Sequence, residues 1–276
     1  MLTIDENPCA PVYSEDSTAT AALNEFAISL LSGGHVNLSI ARHFQIPTTN
    51  TFVVVAVEFP ASPIATTANR AAAIVEARLK AIRRCLGAEC GFPVPALLGP
   101  IYGTILIPGS SVLARRTHEL PALLSAVTRQ APTAAAVESA TTAIAEAAAT
   151  AHELLDLAIG LRKEPRLYEL GELALEYQIT RPGPGRDQLV SLLEPLEEHP
   201  ELIHTLAAMI CQGFDRKRSA RRLCVHPNTI DYRMRRISAL TGLSVTHASH
   251  WRLFAAYTAR AFVRAERAHH LGDEAR

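Results

Sequence analysis

Residues 215–243 read D-R-K-R-S-A-R-R-L-C-V-H-P-N-T-I-D-Y-R-M-R-R-I-S-A-L-T-G-L, two short helical segments joined by a tight turn. Asp215 stands where a helix N-cap accepts from free backbone N–H groups, and its charge suits the positive end of the helix dipole. Ala220 and Leu223 lie three apart and face inward, the small Ala220 leaving room for a second helix. Pro227 fits the first position of that second helix, where its missing N–H is no loss. Ile230, Met234 and Ile237 recur at i, i+4 and i+7 as a buried stripe. Thr229, Arg233 and Arg236 recur at the same spacing on another side, and Gly242 ends the helix as a C-terminal cap. A rod about 10–12 Å wide with such a polar stripe fits the major groove of duplex DNA.

Charge supports this direction. The chain's zero net charge is a sum of opposed parts: residues 1–214 hold 14 Lys/Arg against 22 Asp/Glu, net −8, and residues 215–276 hold 13 against 5, net +8. Eight Lys/Arg fall between 216 and 236, offset only by Asp231. A cationic end on an acidic body points to a polyanionic partner.

The run L-x-V-H-P-N-T-x-x-Y-R-x-R-R-I-x-x-L-T-G over residues 223–242, with L-L-E-P-L-E-E-H-P-E-L-I-H-T-L over 192–206, resembles the C-terminal Fis-like helix-turn-helix of the PucR/CdaR family of bacterial transcriptional regulators. The resemblance covers roughly residues 187–262. It implies that the second helix is the recognition helix and that His226, Asn228, Thr229, Tyr232 and Arg233 are signature positions. Asp231 departs from the basic or neutral residue that many relatives carry; facing a groove it would repel phosphate and accept from a cytosine amino group. The expected DNA-binding set is Arg218, Arg221, Arg222, His226, Asn228, Thr229, Tyr232, Arg233, Arg235 and Arg236. Several members have a second reading. His226 contacts a base or bonds backbone at the helix start, Asn228 touches DNA or holds the turn, Tyr232 reads DNA or packs between the helices, and Arg235 is a contact or a solvated charge.

At 276 residues and 48% hydrophobic content the chain can support two cores. The longest apolar tract, 131–161, is broken by Glu138, Glu146, Glu153 and Asp156, so no membrane span is expected. The N-terminus has no charged region ahead of an apolar one, which points to a cytoplasmic protein. Five cysteines at 9, 85, 90, 211 and 224 lack C-x-x-C spacing, so no zinc site is expected and free thiols in a reducing compartment account for them.

Upstream, residues 1–17 read as a frayed tail. Helical periodicity covers 18–32, ending at Gly33-Gly34, and a short helix covers 36–44. T-F-V-V-V-A-V-E-F, 51–59, reads as a central strand. A helix follows over 67–86, then strands at 94–98 and 101–107 around Gly99-Pro100. Residues 120–128 are ambiguous and open to another strand. Alanine density over 133–161 predicts one helix, and 167–177 a short strand or turn followed by helix. This order predicts an α+β domain over 18–180, similar in position to the GGDEF-like domain that precedes the helix-turn-helix in PucR/CdaR proteins. No G-G-[DE]-E-F string occurs, and Gly33-Gly34-His35 precedes the first strand, so no cyclase activity, catalytic residue, metal or cofactor is expected. R-P-G-P-G-R, 181–186, reads as a hinge that neither helix nor strand crosses. An all-α domain over 187–268 follows, with a tail at 269–276. Within it Leu189, Leu192, Leu193 and Leu196, then Leu202, Ile203, Leu206, Met209 and Ile210, form apolar faces. Trp251, Leu253, Phe254, Tyr257 and Phe262 on a last helix serve as core or dimer contacts.

The expectation is therefore a sequence-specific, effector-responsive transcription regulator that binds double-stranded DNA as a homodimer or higher symmetric assembly. Two rivals stand beside it. An α+β enzyme would need carboxylates or a glycine-rich phosphate loop after the first strand, where P-A-S-P-I-A-T-T has neither. A single-strand RNA or protein-interaction module would favour aromatics among the arginines, where Tyr232 stands alone. No residue of 1–180 stands out as an effector contact.

Overall fold

The computed structural model describes residues 17–33, 37–60, 68–243 and 247–273. The chain forms two compact units, Met1–Glu172 and Leu173–Arg276.

In the first unit, helices α1 (Ser17–Leu31) and α2 (Leu38–His43) precede strand β1 (Thr51–Glu58), and α3 (Ala68–Cys90) follows it. Then come β2 (Ala96–Leu98), β3 (Tyr102–Pro108), α4 (Val112–Arg115), α5 (Leu120–Thr128), β4 (Thr133–Ala140), α6 (Ile144–Gly160) and β5 (Leu167–Glu169). The five strands order as β2-β3-β1-β4-β5; β1 is antiparallel to β3 and β4, and β5 runs parallel to β4. β1 is central, as its β-branched run predicts, and its side chains feed both faces because successive residues point to opposite sides. Val53, Val55, Val57 and Phe59 pack in one cluster with Ile82, Leu86, Leu120 and Leu124 of α3 and α5. Phe52 and Val54 pack in another with Phe26, Leu30 and Ile144 of α1 and α6. The sheet is thus covered by helices on both faces.

The predicted helix over 133–161 is a strand, β4, and then α6. Alanine favours helix in isolation, but Ala134, Ala135 and Ala136 lie opposite Val57, Ala56 and Val55 of β1 and are buried. Pairing and burial override a propensity worth only tenths of a kcal/mol per residue (roughly 0–0.7). Residues 120–128, open to a strand, form helix α5, with Pro121 tolerated in its first turn and Arg129 closing it in the left-handed region at φ 60°. The tail expected to fray, 1–17, falls almost entirely outside the described residues, as does part of the segment after β1.

Helix α7 (Leu170–Thr180) leads into the second unit, which holds α8 (Pro184–Ser191), a 3-10 turn (Glu194–Leu196), α9 (Pro200–Cys211), α10 (Arg216–Arg222), α11 (Pro227–Thr241) and α12 (His247–Asp273). The helix break is shorter than the predicted 181–186. It covers Arg181–Gly183, with Gly183 at φ 147°, and Pro184 opens α8 at a position where its missing N–H is no loss. Leu193, Leu196, Leu202, Leu206 and Met209 meet Ala220, Ile230, Met234 and Ile237 in one core, closed by Leu253 and Ala256 of α12. Trp251 stands 65% exposed and so is no part of that core. Arg260, only 6% exposed, and Arg264 both pair with Glu197, at 2.7 and 2.8 Å, tying α12 to the turn before α9.

Candidate nucleic-acid interface

Local chemistry fixes the α10–α11 pair before any packing does. The Asp215 carboxylate accepts from the Arg218 N–H at 2.8 Å, and that bond holds its carboxyl below the usual range. Ser219, fully buried, donates to the carbonyls of Asp215 (2.7 Å) and Ala208 (3.3 Å), seating α10 on α9. The turn closes with Val225 N–H donating to the Ala220 carbonyl (3.0 Å) and Cys224 N–H to that of Arg221 (3.2 Å). That is the doubly bonded helix stop that usually takes glycine, here with Cys224 in the left-handed region at φ 54°. His226 then caps α11, its Nδ1 accepting from the Asn228 N–H at 3.2 Å, with Pro227 next in line. Gly242 ends α11 at φ 69°.

Ile230, Met234 and Ile237 of α11 are buried to 1, 4 and 0% exposure. At about 100° per residue, the side opposite that stripe carries Asn228, Tyr232 and Arg235, all exposed. Tyr232 is 59% exposed, so it does not pack between the helices. Thr229 and Arg233 are half-buried on the flank nearest α9. There the Arg233 Nη1 donates to Thr205 Oγ1 of α9 at 3.2 Å. Arg236 is exposed on the same side, its Nη2 at 3.5 Å from His199 Nε2. The periodic stripe Thr229–Arg233–Arg236 is therefore the edge of the outward face, and its centre is Asn228, Tyr232 and Arg235. On α10, Arg218, Arg221 and Arg222 are all exposed, the Arg221 Nε donating back to the Lys217 carbonyl at 3.4 Å.

Sequence reasoning passed over one contributor. Arg216, the first residue of α10, lies against the second helix, its Nε 3.1 Å from Asp231 Oδ1 and its Nη2 3.4 Å from Asn228 Oδ1. A lone carboxylate inside a cationic block is the signal that marks such a partner. Among the described residues no cluster of His, Cys, Asp or Glu is arranged to hold a metal ion, and no helix is long and apolar enough to cross a membrane.

Residues 202–259 match the family model described as PucR C-terminal helix-turn-helix domain. Among solved structures, the chain is similar to the regulator of polyketide synthase expression from Bifidobacterium adolescentis. The match has 16% identity and a TM-score of 0.40, and covers 90% of this chain and 95% of that one. The comparison with curated proteins finds no match. Capped helices, a buried stripe and an outward basic face thus fall within the matched segment. By that segment the protein is a DNA-binding transcription regulator carrying a PucR-type helix-turn-helix.

Proposed function

We propose that the second unit reads duplex DNA by laying the outward side of α11 in the major groove while α10 holds the flanking phosphates. The observation that carries this reading is the exposure of Asn228, Tyr232 and Arg235 on one side of a helix whose opposite side is buried. Side chains of these types contact base edges and thymine methyl groups, whereas Arg218, Arg221 and Arg222 suit phosphate oxygens. His226 serves here as a helix cap and Arg233 as a tether to α9, both holding the reading helix in place.

Two copies of the chain would bring two such helices to half-sites about 34–36 Å apart. The α+β unit would supply assembly or the response to a small-molecule effector. Cys85, Cys90, Cys211 and Cys224 are free thiols, in keeping with work in a reducing cytoplasm. A competition shift assay with duplex DNA, single-stranded DNA and RNA tests the proposal: duplex should displace the others from the full-length protein. Displacement by single strands in preference to duplex would reject it.

A further inference from the structure

Asp231 is an acidic residue on a face otherwise suited to a polyanion, and its carboxylate is occupied by Arg216 of the preceding helix at 3.1 Å. The two side chains are 50% and 39% exposed, and an ion pair this wet adds little to folding stability. Its effect is on geometry. Of the five N–H donors of a guanidinium, Asp231 takes the one on Nε, and Asn228 Oδ1 faces one on Nη2 at 3.4 Å. The remaining donors, on Nη1 and the outer side of Nη2, have no protein partner among the described residues. One edge of the planar group is anchored on α11 and the other is presented beside Asn228, at the start of the outward face.

On this geometry we propose that Arg216 is a DNA-reading residue and that Asp231 is its positioning residue. A free arginine loses much rotamer freedom when it docks on a base. One already held in plane by a carboxylate loses less, and its open edge matches the paired acceptors O6 and N7 of guanine. The assignment rests on the duplex reading given under Proposed function and adds to it a residue of α10 that contacts a base edge. It also predicts the opposite of simple charge repulsion. If Asp231 only repelled phosphate, removing its charge would strengthen binding to every duplex alike.

The test uses the full-length protein and two probes, a duplex that the wild-type protein selects from a random library and an unselected duplex of equal length. Fluorescence anisotropy at fixed salt gives the ratio of the two affinities. Asp231→Asn should bind the unselected duplex as well as or better than wild type, yet lose about tenfold in the ratio. Arg216→Lys keeps the charge but not the flat two-donor edge, so it should hold unselected affinity and lose a similar factor. Arg216→Ala should lose both. An unchanged circular dichroism spectrum and melting midpoint in the free variants show that the second unit, built from helices, has kept its fold. If Asp231→Asn raises both affinities equally, or Arg216→Lys leaves the ratio intact, the assignment is overturned. A wild-type protein that selects no duplex would reject the underlying DNA reading, and this inference with it.

Discussion

Replacing Ala220 with leucine turns a methyl group into an isobutyl side chain at a site with 1% exposure, enclosed in the core that also holds Ile230, Met234 and Ile237. Leucine is nearly as good a helix former as alanine, so local propensity hardly enters. What changes is volume, and overfilling a packed core costs about 1–3 kcal/mol. That is a large part of the roughly 5–15 kcal/mol that holds a domain together, and it should lower the midpoint by about 4–8 °C per kcal/mol in a domain of this size. The same displacement separates α10 from α11 and so breaks the 3.1 Å pair between Arg216 and Asp231. Thermal unfolding followed by circular dichroism suits the measurement, because the second unit is built from helices. Ala220→Gly is the control: it should cost about 1 kcal/mol through backbone entropy and keep duplex affinity at temperatures where it is folded. An Ala220→Leu protein that melts with wild type and binds duplex equally well would refute the claim that α10 and α11 are closely packed at this residue.

Three other perturbations separate structural roles from contact roles. His226→Ala should cost roughly 0.5–2 kcal/mol in the same melt through loss of the cap to the Asn228 N–H, and His226→Asn should recover most of it; unaltered stability in the alanine variant would leave base contact as the role of the residue. Ala135→Leu in β4 should destabilise the first unit by about 1–3 kcal/mol, because Ala135 and its partner Ala56 are both fully buried; circular dichroism melts check this, and a neutral result would reject the close packing inferred there. Burial holds the His152 imidazole, 2.8 Å from Thr104 Oγ1, below its ordinary pKa of 6.5. The unfolded chain then binds the extra proton, so this contribution is present above pH 6.5 and lost as pH falls through the lower folded value; His152→Gln should flatten that part of the stability profile, and an unflattened profile would assign the slope to other groups.

The parts of this fold that are legible in the sequence are those set by neighbours along the chain. Asp215, Pro227 and Gly242 each suit one place at a helix end, and all three occupy it. T-F-V-V-V-A-V-E is rich in β-branched residues and too short for a buried helix of typical length, which reads as a strand, and it is one. The alanine run was misleading because its partner, β1, lies some 80 residues earlier, and only that pairing makes a strand of it. Arg233 falls into a polar stripe by periodicity alone, whereas its partner Thr205 belongs to a helix 28 residues upstream. Arg216 escaped notice for the same reason, since Asp231 and Asn228 reach it across the turn.

Contact between the basic face of the second unit and DNA phosphates is read from the salt dependence of duplex affinity, measured in parallel for wild type, Arg222→Ala on α10 and Arg115→Ala, an exposed arginine of the first unit. Log affinity should fall steeply with log salt for wild type. The slope should be shallower by about one for Arg222→Ala and indistinguishable from wild type for Arg115→Ala. Three identical slopes, or a wild-type affinity indifferent to salt, would contradict it.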